Sequence, residues 1–190
     1  MRSPREGLGA LLRSLLQFVQ EKGLEEQVRA GVSEATRKLM DDPPRPLSWI
    51  PSASIDEIET VLGALAGKDV LVEFGGRSAR EFGGSMIQPV IRAAFLMFGE
   101  SPASVFANLD RFFTLATRGI SFRWTESSPS DGAVEARFEG TDKPVAAWHV
   151  LRGSLGFVFE ISQAAGEVDP PEVIETTDAA TVVRYRVRWK

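Results

Sequence analysis

Leu8, Leu11, Leu12, Leu15, Leu16 and Val19 recur at the spacing of an amphipathic helix, and Gly23 supplies its stop. Leu24, Val28, Val32, Leu39 and Met40 predict a second, more polar helix, ended by Asp41-Asp42-Pro43-Pro44. Past Trp49-Ile50-Pro51, Ser54-Ile55-Asp56-Glu57 has the form of a capping box. The buried stripe of that helix is Ile55, Ile58, Val61, Leu62 and Leu65, and Gly67 closes it. Val70, Leu71 and Val72 alone would suit a strand. Gly75, Gly76, Ala79 and Gly83 instead mark the small face of a tightly packed helix, so 68–85 is read as helical. Pro89 opens a helix through Phe98, and Ser101-Pro102 opens another with Val105, Leu109, Phe112, Phe113 and Leu115 turned inward.

The period then changes. Ile120, Phe122 and Trp124 alternate with polar residues, as do Val134, Ala136 and Phe138 beyond the turn Pro129-Ser130-Asp131-Gly132, which predicts a β-hairpin. Val183, Tyr185, Val187 and Trp189 form a last strand, with a strand near Val173-Ile174-Glu175 before it and Asp178-Ala179 in the turn. Between the hairpins, 144–165 reads as a long helix with two apolar stripes. Ala146, Val150, Gly153, Phe157 and Ile161 make one; Trp148, Leu151, Leu155 and Val158 make the other. A helix apolar on two opposite sides is covered on both. His149, Arg152, Gly156 and Glu160 occupy the remaining side.

These elements predict an α+β fold, with an N-terminal helical layer on a roughly four-stranded antiparallel sheet and the long helix buried between the two hairpins. Residues 1–190 form one domain, in which 1–45 is a helical extension or hairpin and 46–190 the core. The 12 Phe and 4 Trp supply ample core volume. A net charge of −4 disfavours nucleic acid as a partner. With no cysteine there is no disulfide, thiolate metal site or cysteine nucleophile, which suits a reducing, cytoplasmic setting. Arg13, Ser14 and Gln17 interrupt the first apolar stretch, which excludes a signal peptide reading, and no run is long enough to span a membrane.

Catalysis finds little support. His149 is the only histidine, so a Ser-His-Asp arrangement has one possible base. Ser154, in Arg152-Gly153-Ser154-Leu155-Gly156, misses the nucleophile-elbow pattern. One histidine and no cysteine leave no transition-metal spacing. Arg123, Arg137, Arg184, Arg186 and Arg188 would share one sheet face. That face is either a site for an acidic partner or a surface where arginines pair with carboxylates across strands.

The element order, with Trp49-Ile50-Pro51, Leu151-Arg152-Gly153-Ser154-Leu155-Gly156 and Tyr185-Arg186-Val187-Arg188-Trp189, resembles an uncharacterised myxobacterial paralogous family over roughly residues 5–190. That family looks similar to the heme-NO-binding and vinyl-reductase ligand-sensing domains, whose fold is related to a trafficking-complex subunit with an acyl-chain channel. The resemblance implies small-molecule binding between helical layer and sheet, and dimerisation. Heme proteins of that kind carry an axial histidine on a helix before the first hairpin and a Tyr-x-Ser-x-Arg pattern. His149 lies after that hairpin, and the only tyrosine begins Tyr185-Arg186-Val187-Arg188, so no heme and no other cofactor is expected.

The expected function is a non-enzymatic regulatory or sensory module for a small apolar molecule or a protein partner; the alternative is a scaffold or dimerisation domain without a pocket. The candidate ligand-binding residues are Phe98, Phe112, Phe113, Trp148, Arg152 and Leu155, aromatic side chains from separate helices with Arg152 at the edge to neutralise a ligand carboxylate. Filling of the core by the same residues is the competing reading.

Overall fold

A computed structural model describes residues 5–85, 100–141 and 144–190. The expected helix through Phe98 lies outside the described residues. Leu8 is extended: Glu6–Leu8 is strand β1, paired on one side with β2 (Trp49–Pro51) and on the other with β3 (Thr117–Arg118). Helix α1 (Gly9–Glu21) follows at once and buries Leu12, Leu15, Phe18 and Val19. Gly23 ends it at φ +68°, a left-handed conformation that costs a glycine little.

The single helix expected over 24–40 is broken in two. Helix α2 (Glu25–Gly31) stops at Val32, whose backbone is extended, and α3 (Glu34–Asp41) restarts from Ser33. The Ser33 hydroxyl caps α3 by accepting from the Thr36 N–H at 3.3 Å. Glu57 completes the cap from across the fold, accepting from the Ser33 N–H at 2.6 Å and its hydroxyl at 2.9 Å, and from the Thr36 hydroxyl. The presumed capping box therefore serves another helix. Helix α4 (Ser52–Ala66) already begins at Ser52, and Ser54 receives the Thr36 hydroxyl at 3.1 Å. Ile58 and Leu62 are fully buried, but Leu65 is 47% exposed, although Ala66 beside it still packs against the helical core.

Helix α5 (Lys68–Ser85) confirms the helical reading of the glycine-rich segment. It lies against α8 (Val145–Ile161) so closely that a Cβ on Gly75 would overlap the Val150 carbonyl. A Cβ on Gly153 would likewise overlap the Val72 carbonyl. Helix α8 is covered on both sides, as its two stripes require. Trp148, Leu151, Leu155, Val158 and Phe159 join the core over the sheet, while Ala146 and Val150 join the core built by α1, α2, α4 and α5. Two short helices, α6 (Pro102–Phe106) and α7 (Leu109–Phe113), replace the one expected after Ser101, and Leu115 is exposed beyond them.

The main sheet has five strands where about four were expected. The hairpin of β4 (Ile120–Ser128) and β5 (Asp131–Glu139) pairs through β5 with β8 (Ala180–Trp189). Two short strands divide the far side of β8: β6 (Gly166–Val168) pairs with 187–189 and β7 (Glu172–Thr176) with 181–184. Val134, Ala136, Phe138, Val183, Tyr185 and Val187 form the apolar face under α8. Strand β4 lies at the end of the strand order. There the Phe122 N–H donates to Asp110 Oδ1 of α7 at 2.8 Å, and the pairing shifts register between Glu126 and Ser128.

Candidate functional site

An apolar cavity of about 120 Å³ opens where α6 and α7 meet α5 and the C-terminal half of α8. Val105, Leu109, Phe112 and Phe113 line it from α6 and α7, Ala79 and Phe82 from α5, and Phe157, Val158 and Ile161 from α8. Leu11 of α1 closes the end toward the N-terminal helices. The cavity persists because its aromatic walls are braced from behind, Phe113 against Phe122 with ring centroids 4.6 Å apart. Rigid rings held at 47° to one another leave a gap that flexible aliphatic chains would fill. Ser78, Thr117 and Ser154 are its only polar lining residues among those described. The Ser154 hydroxyl is committed to the Gly75 and Val150 carbonyls, at 3.1 and 3.3 Å.

A second cavity, also about 120 Å³, shares Leu11, Ser78, Phe113, Thr117 and Ser154 with the first and reaches down to α4. Its far end is polar. Arg5 forks onto Asp56 at 2.7 and 3.3 Å, with only 5% of the Arg5 side chain exposed. Beside this pair, Glu59 is 4% exposed and its Oε2 has no hydrogen-bond partner. Burial, then the nearby Asp56 carboxylate, raise the Glu59 pKa well above the usual carboxylate range, and the Arg5 charge only partly opposes them. Its surroundings therefore favour the neutral form of the Glu59 carboxyl. A buried polar atom without a partner costs about 1–3 kcal/mol.

The proposed ligand residues do not all meet. Phe112 and Phe113 line the first cavity, as does Val158 of the expected stripe. Trp148 and Leu155 are packed into the sheet core, and Trp148 Nε1 has no hydrogen-bond partner there. Arg152 points elsewhere: its Nε donates to the Val168 carbonyl at 2.9 Å, in a polar groove between α5, α8 and β6. It therefore stands apart from the apolar cavity, because residue 152 lies on the opposite flank of α8 from Phe157. Sequence reasoning missed Phe157, Ile161, Ala79 and Phe82 as cavity walls. The signal was the stripe shared by Phe157 and Gly153, since a glycine marks where a partner helix comes close.

His149 is 8% exposed, and its Nδ1 finds no hydrogen-bond partner. Burial first, then the charges of Lys68 and Arg152, lower its pKa from 6.5, with Asp69 opposing. The unfolded chain takes up this proton as pH falls through about 6.5, whereas the folded chain resists it. Stability is therefore lost on the acid side of neutrality. Between pH 7.5 and 5.5 the melting temperature of the wild type should fall further than that of His149→Phe. Parallel curves for the two proteins would remove His149 from the acid response.

Three of the five arginines expected on one sheet face are paired. Arg184 meets Glu135 at 2.8 Å, Arg188 meets Asp169 at 2.8 Å and Glu167 at 3.1 Å, and Arg186 lies 3.9 Å from Glu172. Exposed pairs of this kind contribute at most about 1 kcal/mol each. Among the described residues, no group of three His, Cys, Asp or Glu side chains is placed to hold a metal ion, and no helix is long and apolar enough to cross a membrane.

Solved H-NOX domains share this arrangement of helices and sheet, and the chain has that fold. The Fe(II) unliganded H-NOX protein of K. algicida superposes with a TM-score of 0.69 at 12% identity, covering 96% of each chain. A mutant form of it reaches 0.70 at 15% identity, again over 96% of each chain. An oxygen-binding H-NOX domain related to soluble guanylate cyclases gives 0.64 at 13% identity, over 96% of this chain and 94% of that one. At these identities the likeness is one of fold. No family model matches the sequence, and no curated protein does.

Heme distortion has been probed in the H-NOX family, so heme must be tested against this site. The residues present do not fit it. No histidine lines either cavity, and His149 lies among the charges at the start of α5. The sole tyrosine hydroxyl, Tyr185, donates to the Trp148 carbonyl at 2.9 Å from within the core. A cavity of about 120 Å³ is also below the roughly 300 Å³ at which pockets for drug-sized ligands begin, and a porphyrin needs more.

Proposed function

We propose that the protein is a non-enzymatic sensory or regulatory module that takes a small apolar molecule into the cavity between α5, α7 and α8. The observation that carries this reading is the cavity itself, roofed by Phe82, Phe112 and Phe113 and lacking any charged side chain among its described lining residues. Its size is right for a six-membered ring: an engineered apolar cavity of about 150 Å³ stays dry and binds benzene. The H-NOX fold supports a sensing role, since one of its solved members is an oxygen complex. The readout belongs to a protein partner or a second copy of the chain in the cytoplasm. Of the two candidate sets, Phe112 and Phe113 are retained as ligand contacts and Phe157 and Ile161 join them. Arg152, Trp148 and Leu155 act in packing.

Benzene or cyclohexane titrated against the protein tests this. At a hundredfold excess over Kd, linkage gives about 2.7 kcal/mol of stabilisation, or roughly 5–10 °C of melting temperature for a chain of this size. Ala79→Phe fills the space and should abolish the shift. No saturable shift in the wild type would leave the scaffold or dimerisation reading in front.

A further inference from the structure

We propose that the Arg5, Asp56 and Glu59 end of the second cavity is a head-group subsite, which selects an uncharged ligand whose head both donates and accepts a hydrogen bond, as an alcohol or primary amide does. The inference rests on the cavity reading above and adds the chemistry of what enters. Three observations lead to it.

The two cavities are neighbours with a common wall. Leu11, Ser78, Phe113, Thr117 and Ser154 each line both, so a molecule with its ring beside Phe113 is one side chain away from the polar end. Leu11, the aliphatic side chain on that shared wall, can change rotamer without moving backbone and so join the compartments, while Phe113 stays braced against Phe122.

The polar end carries an unmet hydrogen-bonding demand. Glu59 Oε2 is buried and partnerless, on a helix whose neighbouring inward positions, Ile55, Ile58 and Leu62, are aliphatic. An aliphatic side chain at 59 would have met the packing need with no polar group to satisfy. A carboxyl group in its place gives this end of the cavity one donor and one acceptor once it is protonated.

Charge then selects the ligand class. Arg5 and Asp56 close a two-pronged ion pair, so the one cation among the described lining residues already has its counter-ion. An anionic ligand would meet Asp56 and Glu59 with no unengaged cation among the described lining residues to receive it. A cationic ligand would require Glu59 to ionise beside Asp56, which burial opposes. A neutral head that can donate or accept a hydrogen bond at Glu59 Oε2 leaves the Arg5–Asp56 pair and the uncharged Glu59 carboxyl as they are.

Cyclohexane, cyclohexanol and cyclohexylamine share a ring that fits the first cavity and differ only in the head. Each is titrated at pH 7 into the full chain, followed by thermal shift and ligand-observed NMR. In the wild type, cyclohexanol should bind more tightly than cyclohexylamine. The ratio of cyclohexanol to cyclohexane affinity should fall by about tenfold in Glu59→Leu, the value of one hydrogen bond, and stay within about threefold in Glu59→Gln. If Glu59→Leu does not fold, the wild type decides the matter: cyclohexanol binding no more tightly than cyclohexane overturns the subsite, while Glu59→Gln, which keeps a neutral donor and acceptor, shows whether a charge is involved. An unchanged ratio in Glu59→Leu, with the ring still binding, overturns the subsite and leaves the cavity reading intact. Tighter binding of the amine with proton release also overturns it, making Glu59 a counter-ion. Binding of none of the three removes the cavity reading, and the subsite with it.

Discussion

Gly75→Ala and Gly153→Ala should each destabilise the protein by about 2 kcal/mol or more, although alanine gains roughly 1 kcal/mol over glycine in a helix interior. The reason is that the obstructing atoms are backbone. A methyl group at 75 meets the Val150 carbonyl, and one at 153 meets the Val72 carbonyl, and neither carbonyl can rotate away without breaking its own helix. The helices must move apart, and every contact along α5 and α8 loosens together. Thermal denaturation should show each single variant shifted by about 4–8 °C in melting temperature. The double variant should lose less than the sum, because the first methyl already opens the gap that the second needs. Additive losses, or none, would contradict the packing. Gly156 is the internal control: nothing lies within 4 Å of a Cβ there, so Gly156→Ala should be neutral or stabilising.

Phe106→Ala should cost about 3–5 kcal/mol, the usual range for truncating a buried aromatic. The ring is 1% exposed and stacks on Trp124 at 5.2 Å, meets Phe159 edge-on at 5.7 Å and contacts Trp189 at 6.2 Å. It belongs to a helix of only five residues, too short to form without such an anchor. Loss of the ring therefore frees α6 as well as emptying a site in the core. Emission from Trp124 and Trp189 should shift to the red in the same variant. Blue emission with an unchanged melting temperature would mean that the cluster does not hold α6 in place.

Much of this architecture was legible from periodicity. The 3.6-residue repeat located α1, α4 and α8, the spacing of small residues located α5, and strict alternation located β4, β5 and β8, because each of these elements is long and faces a continuous core. What was illegible depended on partners distant in sequence. The break at Val32-Ser33 has no proline to announce it; it is held by Glu57, whose own segment imitates a local capping box. Strands β1 and β6 have three residues each, too few for any period to appear. The site suffered in the same way. Periodicity says that a side of α8 is covered, but the difference between Val158 at a cavity wall and Leu155 in solid core depends on how α7 is tilted. Arg5 gave no signal at all, since its importance comes from Asp56 and Glu59 on a helix fifty residues further on.

The end strand β4 has a consequence for how such molecules coexist at high concentration. A long bare strand margin is a template on which another chain can lay a strand of its own, the first step toward fibrous aggregates. Here Asp110 already occupies the Phe122 N–H, and the shifted register after Glu126 spoils the repeat that an incoming strand would have to match. Exposed Arg123 and Glu126 add charges that an added strand would have to accommodate. At the opposite margin β6 and β7 each cover part of β8 and are too short to seed an extended ladder. Asp110→Ala should therefore be felt less in the melting temperature than in the lag time before the concentrated protein precipitates.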